Sequence, residues 1–152
     1  MDSSTYHSAS LRHIKQWFST LPIPNAEMRR GFFRASFIGP FWYRWSGFPS
    51  VHIAGLRHWQ GKKFLSPNTA TNILRHGDGV VQAFAMTVEA GTSMIDGKQG
   101  VALCYGAQGP RPWRWVRDEL RAVDERTLLG MTLVDLPLLR HFYFPFLLVR
   151  EP

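Results

Sequence analysis

The ionisable residues best placed to do chemistry lie on one ribbon, RPWRWVRDELRAVDERTLLGMTLV, from Arg111 to Val134. Trp113, Trp115, Arg117 and Glu119 alternate against Arg114, Val116, Asp118 and Leu120, which is the period of a strand. Asp124-Glu125-Arg126 supplies the turn into a second strand. Asp118 shares a side with Val116 and Leu120, and Arg114 lies further back on it. If that side faces an apolar interior, desolvation raises the carboxyl pKa and makes Asp118 a candidate proton donor or acceptor. The plainer alternatives are a buried Asp-Arg pair that fixes register, or a solvated aspartate. If the other side faces inward, Trp113, Trp115, Arg117 and Glu119 line the cavity instead. A one-residue change of register exchanges the two.

Other residues could join such a site. Lys62 and Lys63 alternate, so one of them faces in, and a lysine at a barrel mouth can meet an anionic head group. His58 could relay a proton, and Trp59 beside it could stack on a ligand. Phe84, Met86 and Val88 fall on one side of their strand, with Leu103 and Tyr105 on the next. The candidate site is therefore Asp118 and His58 for catalysis, with Trp59, Lys62, Phe84, Met86, Tyr105, Arg114 and Trp115 for ligand contact. For the histidine, lysine and aromatics, ordinary packing or surface exposure is the competing reading. No metal ligand set shows in the spacing of the six histidines and the single cysteine, and no nucleophile elbow or phosphate-cradling glycine loop is present, so neither metal nor cofactor is expected.

The elements that must position these residues read as follows. Leu11, Ile14, Trp17, Phe18 and Leu21 recur at helical spacing, with Ser8 or Ser10 as cap and Pro22 and Pro24 as stops. By architecture this helix is expected to plug or lid one end of the sheet. Residues 1–8 read as a flexible N-terminus and 9–152 as one domain. Gly31 to Ile38 is a strand, Phe41 to Phe48 is irregular, and Val51 to Leu56 is either a helical turn or a short strand. Strands then follow from His58, over Ala70 to Arg75, and over Val80 to Glu89. Asp96-Gly97 marks a two-residue type I′ hairpin into Val101 to Tyr105. The last strand, Phe142 to Arg150, contains Pro145, which places it at an edge or a bulge. About eight short strands after one helix indicate an all-β antiparallel barrel, joined most simply by up-and-down hairpins.

The 152 residues suit a single domain with a substantial core, and 45% hydrophobic content marks a globular chain. The formal charge of +7 invites a nucleic-acid or anionic-membrane partner, but the basic residues are scattered and form no recognition motif. Cys104, the single cysteine, excludes an internal disulfide and reads as packing filler in an apolar strand. The N-terminus lacks the layout of a secretory signal, and no apolar run reaches the roughly 18 residues of a membrane helix. A soluble cytoplasmic protein is expected.

Trp59-Gln60-Gly61-Lys62-Lys63-Phe64, the Gly77-Asp78-Gly79 turn, the run Asp124 to Met131 and the ending Phe142 to Glu151 together resemble the small GXWXG-motif proteins. The similarity is distant. The motif itself falls at Gly31-Phe32-Phe33-Arg34-Ala35, with Phe33 at the Trp position and Ala35 at the second Gly. The resemblance implies a lipocalin-like barrel over Gly31 to Glu151 and matches Asp118 to an acidic position of the family's ribbon; it implies no activity.

Three functions remain open on these residues. One is binding of a lipophilic small molecule, with or without an acidic head group, since a barrel of this size holds about one such ligand. Another is cofactor-free proton transfer, as in an isomerase, cyclase or lyase, in the same pocket. The third is nucleic-acid or anionic-membrane binding through net charge, with nucleic acid the weaker case. The ligand and the oligomeric state stay open.

Overall fold

The structure is a computed structural model; it describes residues 5–6, 9–53 and 55–152, and for 48–53 only the backbone. Residues 1–4 and 7–8 of the expected flexible N-terminus lie outside the described residues, as does the candidate cap Ser8. Eight strands follow in order: β1 Gly31–Phe37, β2 Trp59–Ser66, β3 Thr69–His76, β4 Gly79–Thr92, β5 Gln99–Cys104, β6 Val116–Ala122, β7 Thr127–Val134 and β8 Tyr143–Arg150. Each pairs antiparallel with its sequence neighbour, and β8 returns to β1, so the sheet closes into a barrel. The expected mainly β barrel is what forms. Among the described residues it carries two helices of eight or more residues where one was expected: α1 Leu11–Phe18 and α2 Phe41–Ile53. Among the described residues no helix is long and apolar enough to cross a membrane.

Closure decides which face of β6 looks inward. Val116, Leu120 and Ala122 join Phe33, Phe64, Ala70, Met86, Leu103, Phe146 and Leu148 in the inner core, and Asp118 shares their parity. Leu129, Met131, Leu133 and Leu147 point outward, where they meet α1. The alternation does not extend back to the tryptophans. Trp113–Trp115 is a single 3-10 turn, and the strand begins at Val116, so neither tryptophan shares a β6 face with Arg117 and Glu119.

α1 is not a lid. Ser10 caps it, its Oγ accepting the His13 N–H at 3.3 Å. Its apolar face places Ile14 and Phe18, both fully buried, on the outside of β7 and β8, each burial contributing roughly 1.5–3 kcal/mol. Tyr6, inside the stretch expected to fray, is buried against Trp17 at 5.1 Å.

The lid is α2, over the stretch read as irregular and undecided. Tyr43, Ser46 and Gly47 fall at helical spacing on the side facing the barrel, while Phe41, Trp42 and Trp45 are exposed. Aromatics on both sides erase the polar-apolar contrast on which a periodicity argument depends. Gly47 permits close approach, since a Cβ there would stand 2.6 Å from the Phe37 ring.

One turn and one strand also differ from expectation. Thr92 pairs with Gln99, so Asp96-Gly97 sits in a six-residue loop in place of a two-residue hairpin. Gly97 has the required positive φ of 72°, but Asp96 does not; its carboxylate accepts from the Lys98 N–H and from Arg121. Pro145 is at no edge, because the closed barrel has none. Its carbonyl points toward the β1 side, accepting from Ile38 N at 3.5 Å, just beyond the end of β1. The donor that proline lacks would face the same way, where the ladder has already stopped.

Candidate functional site

Two strand irregularities set the site. Between Trp59 and Gly61 the β2–β3 register shifts, and this carries Trp59, Lys62 and Phe64 all to the inside. Gly61 makes the shift possible: it holds φ at +154°, and a Cβ there would lie 2.0 Å from the Phe33 carbonyl oxygen. A second shift separates Ala70–Met86 from Asn72–Ala83, with Phe84 at φ +54° in the bulge. Met86 therefore stays inside, while Phe84 is turned to the rim, where its ring meets Trp113 at 5.8 Å.

Inside the barrel these distortions assemble a compact polar cluster. Lys62 Nζ lies 2.8 Å from Asp118 Oδ2, and both side chains are almost wholly buried. It also donates to Asn72 Oδ1 at 3.1 Å and to the Tyr105 hydroxyl at 3.2 Å, with Met86 Sδ at 3.5 Å. Asn72 Oδ1 accepts a second bond from the Trp59 indole N–H at 3.1 Å. Asn72 Nδ2 donates to Tyr105 OH at 3.1 Å and to the Phe84 carbonyl at 3.4 Å. Thr132 Oγ1, opposite Asp118 across β6–β7, donates to Asp118 Oδ1 at 2.5 Å. The ammonium also lies over the faces of Trp59 and Tyr105, at 5.6 and 5.5 Å from the ring centres.

Burial by itself would push Lys62 down, but the Asp118 carboxylate and the Tyr105 hydroxyl outweigh it and hold the ammonium above its ordinary value. Tyr105 is raised, chiefly by burial and against the opposing pull of Lys62, so its phenol keeps its proton. An ion pair with every ammonium proton engaged escapes the heavy penalty of an isolated buried charge.

The cluster forms one wall of a chamber of about 250 Å³. Phe37, Leu56, Trp59, Trp113, Val116 and Phe146 supply apolar walls, with Tyr43, Ser46 and Gly47 of α2 overhead. The chamber reaches the surface beside Pro112 and Phe144, both exposed. Tyr43 donates to the Pro145 carbonyl at 3.3 Å and stacks on Phe144, which ties α2 to the start of β8.

The structure thus brings together Asp118, Lys62, Trp59, Met86 and Tyr105, and sets Phe84 at the rim. His58, Arg114 and Trp115 fall elsewhere. His58 is exposed at the start of β2, its carbonyl accepting from Arg75 N at 3.0 Å. Arg114 is exposed and donates to the Gly109 carbonyl; with Arg111 it flanks Trp115 on the outside of the turn. Lys63 is exposed. Cys104 is half-buried on the outer face beside Arg117, and burial pushes its thiol up to about 11, which suits packing.

Asn72 and Thr132 are the members that sequence reasoning missed. Counting back equally from Glu125 pairs Asp118 with Thr132, so the turn already carried that signal. Asn72 shares the parity of Ala70 in a strand, where asparagine is otherwise disfavoured.

Comparison with protein-family models and with curated proteins finds no match. Among solved structures, the crystal structure of a protein from Thermomonospora curvata is similar, with a TM-score of 0.72 at 15% identity. The similarity covers 98% of this chain and 93% of that one, and at that identity it shows a shared fold.

Proposed function

We propose that the chain binds one lipophilic small molecule in the chamber beneath α2. The observation that carries this reading is an apolar hollow of about 250 Å³ ending on a single polar wall. Small-molecule sites combine those two features, although most are larger, at about 300–1,000 Å³. The ligand is accordingly smaller than a drug-sized molecule. The mouth supports the same reading. The exposed Trp42 packs edge-on against Tyr43, which stacks on the exposed Phe144 beside the opening. Exposed apolar side chains in contact with one another mark binding surfaces more often than ordinary exterior.

Native mass spectrometry of the protein incubated with 2-decanone, 1-decene and decanoate tests the proposal. A one-to-one adduct with at least one of them is expected. No adduct with any, at concentrations that load an unrelated lipid-binding control, would overturn it.

A further inference from the structure

The polar wall carries one hydrogen-bond donor that none of the described residues accepts, and it points to the polar end of the ligand. Lysine has three N–H bonds, and four acceptors surround them in Lys62: Asp118, Asn72, Tyr105 and, at 3.5 Å, Met86 Sδ. Asn72 is likewise saturated, with both amide protons donated and its oxygen accepting twice. That pattern fixes its orientation, because only the oxygen can accept from Trp59 and Lys62. Asp118 has Lys62 on one oxygen and Thr132 on the other.

Tyr105 differs. A phenol hydroxyl offers two acceptor positions and one proton. Lys62 and Asn72 both donate to its oxygen, at 3.2 and 3.1 Å, and fill the acceptor positions. Its own proton meets no acceptor among the described residues, and Tyr105 is one of the residues that line the chamber. A proton in a buried site with no acceptor is a standing cost of about 1–3 kcal/mol, which an acceptor from the ligand would remove.

We infer that the Tyr105 hydroxyl donates to the carbonyl oxygen of a neutral lipophilic ligand, a small ketone, aldehyde or ester. The inference rests on the binding reading above and deepens it. The adjacent ammonium polarises the phenol and strengthens its donation. The same geometry disfavours a carboxylate head group, since Lys62 has no free donor and Asp118 on the same wall repels an anion. A lysine that is neutralised and saturated on its own wall acts on the ligand only through Tyr105.

The test uses 2-decanone labelled with carbon-13 at the carbonyl, decanoate, and 1-decene as the analogue without an acceptor. Affinity is read by displacement of N-phenyl-1-naphthylamine, and the bound carbonyl by isotope-edited infrared spectroscopy. In the unaltered protein the carbonyl stretch of bound 2-decanone is expected at lower frequency than in alkane solvent. Tyr105→Phe is expected to abolish that displacement and weaken 2-decanone about 3–10-fold, the worth of one neutral hydrogen bond, while 1-decene is unchanged. Should Tyr105→Phe fail to fold, the infrared band of the unaltered protein decides alone. An alkane-like carbonyl frequency overturns the inference even if both neutral ligands bind, and so does tighter binding of decanoate than of 2-decanone. If none of the three displaces the fluorophore, the binding reading fails and takes this one with it.

Discussion

On the inner face of β6, Asp118 meets Lys62 at 2.8 Å beside an open chamber. On the outer face, Arg121 meets Asp96 at 3.0 Å. Glu119 there accepts from Ser93, Met94 and Arg117. Both clusters are buried, ionic and hydrogen-bonded. The outer one lies under α1, with Arg121 5.0 Å from the Phe18 ring centre, and the gap among its side chains admits no water-sized molecule. The outer carboxylates also anchor a loop through backbone donors, Met94 to Glu119 and Lys98 to Asp96. The inner cluster is made almost wholly of side chains. A buried charge pair is thus a poor sign of function until one asks what lies on its free side: protein outside the barrel, and empty space inside it.

Stability should separate the two most strongly. Lys62→Met leaves Asp118 with no cation in an apolar interior and is expected to cost about 3–5 kcal/mol by urea denaturation. Pairing it with Asp118→Leu should restore most of that loss. Arg121→Met should cost less, about 1–3 kcal/mol, because Asp96 keeps its backbone donor. Equal losses would mean that the loop contributes nothing the inner side chains lack. A sharper contrast comes from Glu119→Gln. It should lower stability by about 1–3 kcal/mol yet leave N-phenyl-1-naphthylamine affinity unchanged; a parallel loss of binding would erase the distinction.

The pH dependence should split in the same way. Lys62 and Tyr105 hold their protons more tightly folded than unfolded. Their contribution is complete below the ordinary values near 10 and is lost as pH rises through the folded ones. Burial pushes Asp96 up, but its bonds from Lys98 and Arg121 prevail and lower it. Its contribution is present above the ordinary aspartate value near 4 and is lost as pH falls through the lowered one. The urea midpoint should therefore fall at both extremes. Asp96→Asn should flatten only the acid side, and the Lys62→Met, Asp118→Leu pair only part of the alkaline side, since Tyr6 and Tyr43 are raised as well.

Strand period made the barrel legible, and the Asp124–Arg126 turn carried the pairing of Asp118 with Thr132, although the sequence reading did not draw it. Parity alone could not say which face of β6 was inside, because both faces carry charge and both are buried. That depends on closure through β8–β1, a pairing between residues more than a hundred positions apart. Helix α2 was hidden because its outward face is aromatic. Arg114 and Trp115 were misplaced because a 3-10 turn interrupts an alternation that continues in the letters. The gathering of Trp59 and Lys62 required a bulge at Gly61, whose need appears only once the Phe33 carbonyl is beside it.

The most direct measurement fills one face of β6 and then the other. N-Phenyl-1-naphthylamine should titrate the unaltered protein to a single saturable site. Val116→Trp, which projects into the chamber, should weaken that site at least about 10-fold, a loss of about 1.4 kcal/mol. Arg117→Leu, one residue along and facing out, should leave it intact. Equal affinity in all three proteins would contradict a ligand-holding interior.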